Sequence, residues 1–184
     1  MKILEIIGGP NGSGKSTFAE MHLNKKHDAL YVNSDAIARG FTLNGNIMAQ
    51  FEAGRIMLGQ IEKYLSENRS FGFETTLSGK IWTRQIEKAK KQDYKIIIYF
   101  VYVDSITVSL QRIRNRVKHG GHDIPKDIVR GRFKRTFSNF MKLYARLADE
   151  WHIIDNTSSG VIIANKMDEK VNILDEKKFK RHFA

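Results

Sequence analysis

Gly9-Pro10-Asn11-Gly12-Ser13-Gly14-Lys15-Ser16, followed by Thr17, is the stretch of this sequence whose residue types and spacing carry the clearest chemistry. It fits G-x-x-x-x-G-K-[ST] without a gap. Glycines let the backbone curl until its N–H groups face phosphate oxygens. The Lys15 ammonium reaches the β- and γ-phosphates of a triphosphate, and the Ser16 hydroxyl offers a hard oxygen to magnesium. A helix opening at Ser16 adds the positive end of its dipole. The expected ligands are ATP, or a closely similar triphosphate, on Gly9 to Thr17, and Mg2+ on Ser16.

Three carboxylates fall at strand ends, where ligands of α/β sheets sit. Asp35 follows the second predicted strand, Glu74 ends the third and Asp104 follows the fourth. Phosphoryl transfer needs a carboxylate that orients the acceptor hydroxyl and takes its proton. Asp35 is the expected base, one strand after the phosphate loop; it also suits a helix N-cap, and the two roles are compatible. Glu74, in Phe71-Gly72-Phe73-Glu74-Thr75-Thr76, is expected to point away from the core and, with Thr75, to hold acceptor hydroxyls or a magnesium water. An exposed strand-end carboxylate is the alternative. Asp104 closes an apolar strand as a Walker B aspartate does, but Ser105-Ile106 opens a helix at once, so a cap fits at least as well.

Arg112, Arg114 and Arg116 precede His119-Gly120-Gly121-His122-Asp123-Ile124-Pro125, and Arg130, Arg132 and Arg135 follow it. Guanidinium groups stabilise a moving phosphoryl group. A Gly-Gly break between two Arg-bearing helices suits a hinged lid over about residues 112–135 that closes on ATP and excludes water. Spacing of two does not share a helical face, so the six cannot all converge; Arg112 and Arg116, four apart, do share one. Arg116 and Arg130 are expected to matter most, with Arg132 an alternative to Arg130. His119 and His122 brush a metal pattern but find no third ligand.

The elements that must position these groups alternate. Strands are predicted at Ile3–Ile7, Ala29–Asn33, Ser70–Thr75, Lys95–Val103 and Trp151–Ile154. Helices are predicted at Ser16–Lys25, Gly45–Glu67, Ile81–Lys91, Ile106–Lys118 and Asp127–Ala148. In the second of these, Ile47, Phe51, Gly54, Leu58, Ile61 and Leu65 are spaced 4,3,4,3,4 along one face. Val161–Ala164 and Val171–Leu174 flank Asn165–Lys170 as a hairpin, and a basic helix or frayed end follows. This alternation argues for an α/β fold with a mainly parallel five-stranded sheet, flanked by helices, in one domain over 1–184, the hairpin and basic tail occupying 160–184.

Composition narrows the partners. The chain of 184 residues has no cysteine, which excludes disulfides, cysteine zinc sites and a thiol nucleophile, and accords with a cytoplasmic location. The N-terminal apolar run is broken by Glu5 and ends in glycines, so it reads as a buried strand and not a signal peptide. No stretch nears the roughly 20 apolar residues of a membrane span. The net charge of +11 favours anionic partners. No recognition motif accompanies it, so nucleic acid is not the expected partner.

The assembled segments resemble the zeta-toxin-like P-loop kinases. The resemblance rests on Gly8 to Thr17, Asn33-Ser34-Asp35-Ala36-Ile37-Ala38, Phe73-Glu74-Thr75-Thr76-Leu77-Ser78-Gly79, Arg116-Val117 with Gly120 to Pro125, and Arg130 to Asn139, spanning roughly residues 3–156. Zeta toxins phosphorylate a sugar hydroxyl of UDP-N-acetylglucosamine with ATP and magnesium and are restrained by an antitoxin. The resemblance thus implies a three-layer P-loop fold with a helical lid, a five-stranded sheet of the adenylate- and shikimate-kinase type, Asp35 as base, and Lys15 with lid arginines on phosphate. It implies a small-molecule acceptor and an antitoxin partner. Gly131 stands where relatives often carry a further arginine. Two rivals stand beside this reading: a kinase for another small metabolite, and an ATP-dependent module that binds nucleic acid or a protein partner.

Overall fold

The structure, a computed structural model, describes residues 1–23, 30–33, 37, 47–121 and 123–183. Asp35, Ser34, Ala36, Ala38 and His122 lie outside the described residues. Seven strands form one sheet in the spatial order β2 (Leu30–Val32), β3 (Phe71–Thr75), β1 (Lys2–Gly8), β4 (Tyr94–Tyr102), β5 (Glu150–Asp155), β6 (Val161–Met167) and β7 (Lys170–Ile173). The first five are parallel. The last two are antiparallel. The helices are α1 (Lys15–Leu23), α2 (Ile47–Ser66), α3 (Ile81–Lys90), α4 (Ile106–Lys118), α5 (Lys126–Asn139), α6 (Ala145–Leu147) and α7 (Glu176–Phe183), with a π-helical turn at Phe140–Tyr144 between α5 and α6.

The layering follows from the period of two along each strand. Leu4 and Ile6, Phe71 and Phe73, Ile96, Ile98 and Phe100, and Trp151 and Ile153 share one face, packed against Met57, Ile61 and Leu65 of α2, Ile86 of α3, Phe137 of α5 and Phe183 of α7. Ile7, Val101 and Ile154 share the other and meet Ala19 and Phe18 of α1. A smaller cluster of Ile113, Ile124 and Val129 joins α4 to α5.

Three expectations are corrected. The sheet has seven strands, not five, because the C-terminal hairpin pairs with β5 (Trp151 opposite Lys166, Ile153 opposite Ala164) and continues the sheet. The hairpin's connection is Asp168-Glu169, not Asn165–Lys170: both residues have positive φ, 49° and 61°, the mirror-image turn whose twist suits a two-residue hairpin. The helix expected over Asp127–Ala148 gives way to a π-helical turn at Phe140, which buries both Phe140 and Tyr144 while the Tyr144 hydroxyl donates to the Gly79 carbonyl at 2.5 Å.

Candidate functional site

The phosphate loop leaves β1 at Gly8 and enters α1 at Lys15, so the order of the sheet sets it at the carboxyl edge between β3 and β4. Its backbone admits no side chain where the motif has glycine. Gly9 has φ +143°, and a Cβ there would lie 1.9 Å from the Val101 carbonyl oxygen. Gly14 has φ +89°, and a Cβ there would lie 2.4 Å from Asn156 Nδ2. These are conformations that only glycine adopts cheaply. Pro10 is buried. Lys15 Nζ donates to the Pro10 carbonyl at 2.9 Å across the loop. The Ser13 Oγ and Asn11 Oδ1 atoms are buried with no hydrogen-bond partner among the described residues. Buried orphan polar atoms are costly, and a bound ligand is one reason they persist. The curled backbone and these atoms fit a triphosphate.

Glu74 ends buried, 5% exposed, yet on the α1 side of the sheet, away from the aromatic core to which Phe71 and Phe73 belong. Ser16 Oγ donates to Glu74 Oε1 at 3.0 Å, and Tyr31 OH donates to Oε2 at 3.2 Å. Burial first, and the Glu74 charge second, push the Tyr31 hydroxyl well above its ordinary range, so it remains a donor. A hydroxyl and a carboxylate in contact are the hard donor set by which Mg2+ is held, one or two protein oxygens with phosphate and water supplying the rest. Among the described residues no group of three or more His, Cys, Asp or Glu could hold a metal alone. The pair fits a magnesium whose remaining ligands are phosphate oxygens and water.

The remaining sequence-predicted residues disperse. Thr75, the last residue of β3, accepts from Leu77 N at 3.3 Å through its side chain. Thr17 is exposed on the first turn of α1. Arg116 closes α4: its carbonyl accepts from Gly121 N at 2.9 Å while Val117 accepts from Gly120 N at 3.0 Å, the paired bonds of a Schellman stop. Arg130 sits exposed on α5, 3.2 Å from Asp127 Oδ1. Asp104 is held by Arg181 at 2.9 Å and His182 at 2.7 Å, both on α7, while the N-cap of α4 is Ser105, which accepts from Val108 N at 3.3 Å. Asp155 is clasped likewise: burial raises its carboxyl, but Lys178 at 2.7 Å and the Thr157 hydroxyl outweigh this and hold it below its ordinary value.

Some contributors were invisible in sequence. Tyr31 on Glu74, Ser109 Oγ donating to the Asn11 carbonyl at 2.5 Å, and Asn156 Nδ2 donating to the Ser13 carbonyl at 2.8 Å all join residues far apart in the chain. The one available signal was position: Asn156 follows a predicted strand and so falls on the same sheet edge as the loop. Thr136 and Asn139 of α5 donate to the Thr76 and Leu77 carbonyls at 2.8 and 3.1 Å and fix the connection after β3.

A family model described as Zeta toxin matches residues 1–178. A relative from Haemophilus influenzae, an uncharacterized protein, is 32% identical over 125 residues, 68% of this chain and 88% of that one. Among solved structures, the AvrRxo1-ORF1:-ORF2 complex superposes with a TM-score of 0.79 at 17% identity, covering all of this chain and 64% of that one. The same complex has been solved with ATP. The PezAT toxin–antitoxin system of Streptococcus pneumoniae matches with a TM-score of 0.64 at 15% identity, over 88% of this chain and 71% of that one. The chain therefore spans under two thirds of the AvrRxo1 chain it resembles.

Proposed function

The chain belongs to the zeta toxin family and is on that ground a P-loop kinase-like enzyme, and from this premise we propose that it transfers the γ-phosphoryl group of ATP to a hydroxyl of a small molecule. The acceptor class to test first is a nucleotide sugar, UDP-N-acetylglucosamine or a similar compound. The observation that carries the reading is the Ser16–Glu74 contact, which joins the end of the phosphate loop to a buried carboxylate on the neighbouring strand.

Lys15 and the loop's N–H groups hold the β- and γ-phosphates. Ser16 and Glu74 would hold Mg2+, which would supply positive charge against the phosphate oxygens. Asp35 orients the acceptor hydroxyl and takes its proton as the new O–P bond forms and the bond to the β,γ-bridging oxygen breaks, leaving ADP. Residues 112–135 serve as the lid, with Arg116 and Arg130 or Arg132 turned to phosphate on closure. An antitoxin-type protein is the proposed partner, supported by the toxin–antitoxin neighbour. Among the described residues no helix is long and apolar enough to cross a membrane.

The test is a screen of phosphate acceptors with ATP and magnesium, read as a mass shift on the acceptor. Lys15→Ala abolishes the shift and the binding of a non-hydrolysable ATP analogue. Asp35→Asn keeps analogue binding but lowers kcat by about 10²- to 10⁴-fold, the span of general-base contributions. Unchanged analogue affinity in Lys15→Ala overturns the phosphate-loop assignment; normal turnover in Asp35→Asn removes Asp35 from the reaction.

A further inference from the structure

We propose that Asn156 is a positioning residue that locks one peptide of the phosphate loop in its ligand-ready orientation, and that Arg112 holds Asn156 in place. The inference rests on the reading of Gly9 to Ser16 as a triphosphate site.

Asn156 is the first residue after β5, and its own backbone is fixed on both sides. Its N–H donates to the Tyr102 carbonyl at 2.8 Å. Its carbonyl accepts from Arg112 NH2 at 2.8 Å, and the same nitrogen donates to the Thr157 carbonyl at 3.1 Å. Thr157 is itself tied down, donating to Asp155 through both N–H and hydroxyl. With the main chain held, the Asn156 side chain reaches 143 positions back and its Nδ2 donates to the Ser13 carbonyl at 2.8 Å.

That bond acts on the Ser13–Gly14 peptide. A trans peptide points its carbonyl and its N–H in opposite directions. Fixing the Ser13 carbonyl on Asn156 therefore turns the Gly14 N–H to the opposite side, the side that cradles phosphate. Gly14 cannot hold this orientation alone, since glycine at φ +89° has many cheap alternatives. The contact also excludes any side chain at position 14, where a Cβ would fall 2.4 Å from Asn156 Nδ2. An amide suits the place: it donates to a carbonyl without carrying charge. An aspartate of the same shape would set a carboxylate against that carbonyl and beside an anionic ligand. A second hold from α4 supports the loop one turn earlier, where Ser109 Oγ donates to the Asn11 carbonyl. Arg112, one turn on from Ser109, gives one guanidinium nitrogen, NH2, to two carbonyls.

The experiment measures binding of a non-hydrolysable ATP analogue with magnesium by calorimetry, together with melting temperature, on wild type, Asn156→Ala, Asn156→Asp, Arg112→Lys and Lys15→Ala. Asn156→Ala weakens the analogue about tenfold, one hydrogen bond's worth of loop order that the ligand must restore. Asn156→Asp weakens it further, and Arg112→Lys falls between wild type and Asn156→Ala. In turnover with an acceptor, the Asn156 and Arg112 variants raise KM for ATP and leave kcat at saturating ATP and KM for the acceptor within about twofold, a split that general destabilisation does not produce. Analogue affinity within twofold of wild type in Asn156→Ala and Asn156→Asp, whatever their melting temperatures, overturns the proposal. If Asn156→Ala does not fold, Arg112→Lys decides on the same criterion. Failure of the wild type itself to bind overturns the phosphate-loop reading, which Lys15→Ala distinguishes from failure at Asn156 alone.

Discussion

The two faces of the sheet are built from the same strands and differ in kind. On the face covered by α2, α3, α5 and α7, the aromatic rings of Phe100, Phe137, Phe140 and Phe183 pack with centroids 4.3 to 6.3 Å apart, and the polar groups of the strands there, the Tyr102 hydroxyl and the Asp155 carboxylate, lie at its carboxyl end beside α7. On the α1 face the same strands present Glu5, Glu74, Tyr99 and His152. Glu5 contacts His22 at 3.3 Å, His22 lies 4.5 Å from the Tyr99 ring, and Tyr99 stacks on His152 at 5.2 Å. Burying such groups costs free energy that burying Phe does not. The α1 face accepts that cost at four strand positions, and it is the face from which α1 and the phosphate loop extend. The aromatic face supplies most of the packed core; the polar face supports the loop, its helix and the Glu74 carboxylate.

The sharpest division is expected from Phe100→Ala. Phe100 is fully buried and stacks on Phe140 at 4.3 Å. Its truncation costs about 3–5 kcal/mol of unfolding free energy in a urea titration, the range for a large aromatic lost from a packed core. Analogue affinity of the folded molecules stays within about twofold. A loss of affinity in step with stability breaks the comparison, since the aromatic face would then set the site directly.

Glu74→Gln is the converse. It keeps the shape and removes the charge between Ser16 and Tyr31. The expected change is a fall in kcat of about 10- to 100-fold, with a higher magnesium requirement. Unfolding free energy stays within about 1 kcal/mol, because neutralising a buried carboxylate also removes its desolvation cost. If the titration instead shows a loss like that of Phe100→Ala, Glu74 belongs with the structural residues.

The same division explains what the sequence made legible. The loop is one contiguous motif whose every residue answers a local requirement, so it can be read without a fold. The apolar run Ile3–Ile7 leading into glycines marked the first strand, and Ser70–Thr75 the third. Glu74 was legible as a residue that would not enter the aromatic core, but not as a buried one, because its partners Ser16 and Tyr31 lie 58 and 43 positions away. Asn156 was legible only by position, beyond a predicted strand on the loop's sheet edge; nothing near Asp155-Asn156-Thr157 names Ser13 as its partner. The hairpin turn was misplaced because Asp168-Glu169 lacks the glycine that usually marks such turns. The outer strands were separated from the sheet because an antiparallel pair appended to parallel strands leaves no local trace of what it pairs with.

The smallest expected effect tests how dry the polar face is. His152 stacks on Tyr99, and its Nδ1 is buried with no hydrogen-bond partner among the described residues. Burial, chiefly, lowers its pKa; His22 lowers it further, and Glu150 opposes both. Asn165 of β6 stands opposite it and carries no charge. Burial also pushes the Tyr99 hydroxyl up to about 12, with Glu5 and Glu150 adding to it, so Tyr99 stays neutral through the range in question. As pH falls, the unfolded chain takes up the His152 proton first, near its ordinary value of about 6.5. The stability that His152 contributes is therefore complete above that value and is lost as pH falls toward the folded pKa. His22 and Glu5 are common to wild type and His152→Gln, so the difference in melting temperature between the two proteins isolates His152. That difference shifts against the wild type between pH 7.5 and 5. A difference that stays flat across that interval means that water reaches the ring, and the polar face is then a hydrated margin of the sheet and not a second, costlier core.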